Sequence, residues 1–226
     1  MAAGTTTDAR RAFDAIATHL SSKRMELRVA IEHGRGIEGW LQHEAIVALD
    51  NAYWGDLAGR LYSFGREGLR HKDSSTYDEA SKRRPFDLVF EDPEMVGCLK
   101  IYMPWKTLTE AIRDVRKDLI ELREHPNHGF LIAGRLDFDD TKTTQGRERK
   151  RSGGGDWLKD VVRGAQDGMR LKSLASSSSD SDAEFIHMEI PPMRWDWPDG
   201  AGGWTEGYRE PFLALGGWSV WRPTTG

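Results

Sequence analysis

Apolar residues recur at helical spacing in the first quarter of the chain. Ala12, Phe13, Ile16, Ala17 and Leu20 predict a helix from about Thr7, with Asp8 placed to cap it. Met25 to Ile31 is a second helix-compatible stretch, ended by Gly34-Arg35-Gly36. Ile37 to Tyr53 predicts a third helix with Trp40, Leu41, Ile46, Val47 and Leu49 as its buried stripe. The period then shortens. Leu57 to Phe64 reads as a strand, residues 66–84 as a polar loop, and 86–91 and 96–103 as two short strands around an Asp92-Pro93 turn. Trp105 to Glu124 returns to helical spacing, with Leu108, Ile112, Val115, Leu119 and Leu122 inward, until His125-Pro126-Asn127 stops it. Gly129 to Gly134 is apolar without alternation, as in a central strand covered on both faces.

The remainder is less regular. Residues 137–155 form a polar connection ending in three glycines, predicted to be a mobile loop. Trp157 to Leu174 predicts a helix despite Gly164 and Gly168. The SSSSDSD run makes 175–183 a second mobile loop, and Phe185 to Ile190 a strand. From 184 onward a Pro-, Gly- and Trp-rich elaboration is expected to lie irregularly on the sheet. The strand, helix and strand from 96 to 134 form a βαβ unit with a right-handed crossover. The expected fold class is α/β: one domain over 1–226, with a mixed central sheet flanked by helices.

Composition narrows the classes. A length of 226 residues fits one domain with an embellishment. The net charge of −4 shows no global basic excess, so any phosphate binding must be local. One cysteine excludes an intrachain disulfide and a Cys-rich zinc module. There is no apolar run of membrane-spanning length and no signal-peptide core near Met1, so a cytoplasmic protein is expected. GxSxG, P-loop and Rossmann glycine patterns are missing from the sequence. His33, His43 and His71 lack zinc-ligand spacing, and His125 and His128 flank a helix end. Five of the nine tryptophans lie after position 190, where packing is favoured over base stacking.

The chemistry concentrates in Pro85-Phe86-Asp87-Leu88-Val89 and Cys98-Leu99-Lys100. An acid opens one strand and a lysine sits in its hairpin partner. Lysine is rarely buried without a partner, and positions 98 and 100 share one strand face. With the preceding helix, Gly36 to Glu44, and the helix and strand that follow, this order resembles the PD-(D/E)XK nuclease superfamily, the restriction-endonuclease-like fold. The resemblance covers about 36–136. It implies metal-dependent hydrolysis of phosphodiester bonds, in DNA by expectation, with Mg²⁺ or Mn²⁺ held by Asp87, Glu44, residue 98 and the backbone at Leu99. Lys100 would orient the attacking water, giving a catalytic set of Asp87, Lys100 and Glu44, with Glu38 as the substitute for Glu44. Arg83, Arg84, Arg149, Lys150 and Arg151 are the candidate nucleic-acid contacts.

Cys98 departs from the pattern, which calls for an acid there. A thiolate is a poor Mg²⁺ ligand, and a half-buried thiol at neutral pH is mostly protonated. Three outcomes follow: a slow site built on Asp87, Glu44 and a carbonyl, a site shifted to a softer ion, or a binding fold that has lost catalysis. The last would bind nucleic acid or a protein partner in a defence or toxin–antitoxin system. A homodimer is a further expectation of the resemblance.

Overall fold

The structure is a computed structural model. It describes residues 3–32, 37–53, 61–64, 86–91, 94–139, 144–175, 185–198 and 204–220, without the side chains of 53, 61–64, 91, 139, 144–154, 194–198 and 204–209. Three helices come first: α1 (Thr6–Ser22), α2 (Arg24–Glu32) and α3 (Ile37–Tyr53). The cap of α1 is Thr5, not Asp8. Asp8 is its reciprocal partner, its carboxylate accepting the Thr5 amide at 3.0 Å while the Thr5 hydroxyl accepts the Asp8 amide. The strands β1 (Leu61–Phe64), β2 (Leu88–Glu91) and β3 (Glu94–Tyr102) form an antiparallel meander. Helix α4 (Leu108–Glu124) starts in a Thr107–Glu110 capping box and crosses to β4 (His128–Asp139), which runs parallel to β3. Then come α5 (Thr144–Ala165), β5 (Leu171–Ser173), β6 (Ile186–Glu189), β7 (Met193–Pro198) and β8 (Trp204–Val220).

The fold is α/β, with a mixed open sheet flanked by helices. Its strand order is β1-β2-β3-β4-β8-β5, and β6 and β7 also pair with β8. Alternation along β3 divides the core. Met95 and Leu99 face α1 to α3 in one apolar cluster with Phe13, Phe130 and Leu213. Val96, Cys98 and Tyr102 face the other way, among Val115, Leu119, Leu131 and Val161 of α4, β4 and α5. No described helix is long and apolar enough to cross a membrane.

Several expectations are corrected. Residues 137–155 are not a loop: β4 runs to Asp139 and α5 begins at Thr144. Gly155 and Gly164 of α5 serve close approach. A Cβ at Gly164 would stand 2.7 Å from Ile112 Cδ1 on α4. Helix α5 ends at Ala165 instead of running to Leu174. Asp167 and Gly168 take positive φ of 43° and 78°, and the Met169 amide returns to Gln166 O at 2.8 Å, turning the chain into β5. On α4, Leu108 is exposed and Asp118 is buried. Of the second expected loop, 176–183 lies outside the described residues, as does the polar segment 66–84.

The largest correction concerns the tail. It is not an irregular elaboration, because β8 lies inside the sheet. It pairs with β4 from Phe130↔Ser219 to Asp139↔Glu210, with β6 and β5 on its other edge, and with β7 over its first half. Pro211 and Gly216-Gly217 disguise this strand in the sequence. The Phe13 ring of α1 closes over Gly217, where a Cβ would sit 2.7 Å from it.

Candidate functional site

Strand β2 pairs with β3 only from Glu91↔Glu94 to Leu88↔Gly97. Beyond Gly97, β3 continues beside β4 while β2 has ended. Asp87, one residue before β2, covers this divergence. Its Oδ2 accepts the Leu99 amide at 2.7 Å, and its Oδ1 accepts from Gln42 Nε2 of α3, also at 2.7 Å. The carboxylate thus does what a ladder carbonyl does elsewhere, satisfying a backbone N–H that the sheet leaves unpaired.

Lys100 emerges on the α4 face of β3. Its ammonium stands 3.3 Å from Asp118 Oδ2 and 4.0 Å from Glu38 Oε1. The two partners differ in depth, and their acid–base behaviour follows. Burial pushes the Asp118 carboxyl up to about 6, although Lys100 pulls it down. Burial alone would lower Lys100, but Asp118, Asp87 and Glu38 together outweigh it and hold its pKa above the ordinary value. At neutral pH the group is an ion pair with the acid as its strained member.

Glu38, Lys100 and Asp118 line a pocket of about 390 Å³ beyond the C-terminal end of β3, with Tyr102, Trp105, Lys106, Asp114 and Lys117. Open α/β sheets commonly bind ligands at such strand ends. The rim is held by Arg135 of β4, whose guanidinium donates to the carbonyls of Met103 (3.2 Å), Pro104 (2.9 Å) and Lys106 (3.3 Å). It also lies 4.1 Å from the Trp157 ring centroid. This clamp sets the loop that carries Trp105, which is 57% exposed.

The expected site residues separate in space. Asp87, Lys100 and the substitute Glu38 gather at the β2–β3 divergence. Glu44 does not join them. Six residues beyond Glu38, it lies about 9 Å along α3 and turned about 120° away, and its Oε2 meets His19 Nε2 at 2.7 Å. Cys98 is buried, and burial, with the charges of Asp118 and Asp87, pushes its thiol well above the ordinary value. It is a neutral thiol inside the α4–α5 core. Leu99 is buried on the opposite face. Arg83 and Arg84 lie outside the described residues. Arg149, Lys150 and Arg151 fall within α5, with their side chains outside the described set.

The donor set does not fit a divalent ion. Asp87 already accepts two strong hydrogen bonds, Asp118 is committed to Lys100, and Cys98 is a protonated soft donor under the sheet. Among the described residues no group of three or more His, Cys, Asp or Glu side chains is placed to hold a metal. Sequence reasoning missed Asp118 and Gln42. Both left a signal: Asp118 lies three residues from Val115 and four from Leu122, on the inward stripe, and Gln42 lies one turn from Glu38. No family model, curated protein or solved structure matches the chain.

Proposed function

We propose that this chain is a restriction-endonuclease-like protein that has given up metal-dependent cleavage and binds nucleic acid at the pocket beyond β3. The order of helix α3, the β2–β3 hairpin, helix α4 and the parallel strand β4 supports the fold reading, since it is the order the nuclease superfamily uses. The observation that carries the functional reading is Asp87. Its two oxygens are taken by Gln42 and the Leu99 amide, while the neighbouring ligand position holds a buried thiol. The exposed indole of Trp105 supplies a face for a base, and the pocket's three lysines, balanced there by Glu38, Asp114 and Asp118, are the cations a backbone phosphate would meet.

The test combines melting with Mg²⁺ or Mn²⁺, cleavage of plasmid and single-stranded DNA, and oligonucleotide binding. The expected result is no metal-dependent rise in Tm, no cleavage, and binding that weakens in Lys106→Glu and Lys117→Glu. Metal-dependent cleavage that disappears in Asp87→Ala would overturn it. One observation favours that second, hydrolytic reading: Glu38, Asp87 and Asp118 all bear electrostatically on Lys100. In it, Asp118 would take the place that the resemblance gives to residue 98.

A further inference from the structure

The ribbon formed by β7 and β8 reaches past the rest of the sheet. Strand β4 accompanies β8 only as far as Asp139↔Glu210, while β7 pairs with the residues before it, from Met193↔Arg209 to Pro198↔Trp204. Strands β6 and β7 follow one another along β8. Glu189 lies opposite Phe212 and Met193 opposite Arg209, so residues 190–192 face only 210 and 211, in a bulge at Pro191-Pro192. There the α1–α2 junction lies over both strands, Arg24 and Met25 sharing a pocket with Pro191, Pro192 and Pro211. A junction that reaches both strands covers a face of the ribbon, not its edge. Among the described residues, β8 is the one strand that pairs with β7. A strand edge left in this state is a template for another strand.

The residues of β7 are matched to themselves. Pro192 and Pro198 have no N–H to offer and bound the run Met193-Arg194-Trp195-Asp196-Trp197. Against an antiparallel second copy with Trp195 at the centre, Arg194 stands opposite Asp196 twice and Met193 opposite Trp197 twice. A shift of one residue either way puts both charged residues opposite apolar ones. The ribbon also holds a charge that such a partner would answer. Asp196 lies opposite Glu206 of β8, and like charges at one cross-strand position are destabilising. The second copy brings Arg194 to the other side of Asp196. Helix α2 packs against β7 and carries two of the four large apolar side chains that stand exposed among the described residues, Met25 (55%) and Val29 (47%), adding apolar area beside the strand.

We propose that two copies of this chain associate through β7, antiparallel about a two-fold axis at Trp195, so that their sheets join edge to edge. An isologous contact occupies the same edge on both copies and closes at two. The surface is separate from the pocket beyond β3, so this association and the nucleic-acid reading stand or fall independently.

Sedimentation of the full chain over micromolar concentrations should show a reversible monomer–dimer equilibrium. Arg194→Glu and Asp196→Arg should each weaken it at least about tenfold, because the axis repeats every like-charge pair. Mixed in equal amounts, the two variants should dimerise again, since each supplies the charge that the other lacks. The double variant, with its charges exchanged, should dimerise like the native chain. Asp196→Arg should not lower Tm, because it also removes the like-charge pair with Glu206. A native chain that stays monomeric, association that runs past two copies, a dimer indifferent to both substitutions, or a mixture or double variant that stays monomeric would overturn the proposal. If a single variant melts well below the native chain, the double variant decides alone.

Discussion

Both faces of β3 pack an apolar cluster, but only the α4 face also carries a buried charge pair. Toward α1–α3, Leu99 and its neighbours lie in a continuous apolar cluster. Toward α4, the same strand carries Cys98, Lys100 and Tyr102, and meets the buried carboxylate of Asp118. One residue of register separates a wholly apolar face from one whose apolar core borders an ion pair. The apolar face is stabilised by area removed from water. The charged face costs free energy wherever a polar atom goes unanswered, and natural folds keep such costs mainly where a function needs them.

Perturbing each face should give effects that differ in size and in sign. The largest is expected on the apolar side. Leu99→Ala should lower stability by about 2–5 kcal/mol in denaturant melts, through lost burial and a cavity. Gly217→Val forces a branched side chain against the Phe13 ring and should cost about 1–3 kcal/mol by overpacking. A melt equal to that of the native chain would show that α1 can move off the sheet.

At the divergence, Asp87→Ala strands the Leu99 amide and the Gln42 side chain, for a loss of about 1–3 kcal/mol. An unchanged Tm would remove the argument that Asp87 acts first as a backbone partner. The smallest effect, with the opposite sign, belongs to Asp118. Its carboxyl titrates at about 6 in the fold against 3.8 for the ordinary group, so the folded state binds the extra proton between those values. Its contribution to stability is therefore full below pH 3.8 and lost as pH rises through about 6. Asp118→Asn, which stays neutral, should raise stability at pH 8 by about 1–2 kcal/mol and change little near pH 4. Destabilisation at pH 8 would mean that the pairing with Lys100 outweighs the burial of the charge.

Much of the fold could be read from spacing alone. The helices α1 to α4 and the strands β2 and β3 declare themselves through apolar spacing, β4 through an unbroken apolar run, and the Thr107–Glu110 box and His125-Pro126 bound α4 at both ends. Strand β8 could not be read this way. Its Pro211 and its Gly216-Gly217 pair are strand breakers locally, and become strand residues only because β4 and Phe13 come to lie against them. The same holds for α5, where Gly164 admits Ile112 of a helix about 50 residues earlier in the chain.

For the candidate site, the sequence determined that Asp87 would stand at the head of one strand and Lys100 in its hairpin partner, and that residue 98 could not serve as an acid. Those facts follow from residue identity and the two-residue period of a strand. Tertiary structure decided the rest. Helix α3 turns Glu38 and Gln42 toward the divergence and Glu44 toward His19, and the crossover lays Asp118 over Lys100. These partners are set by how helices rotate and seat on the sheet, a property of the whole core that no local run of residues encodes.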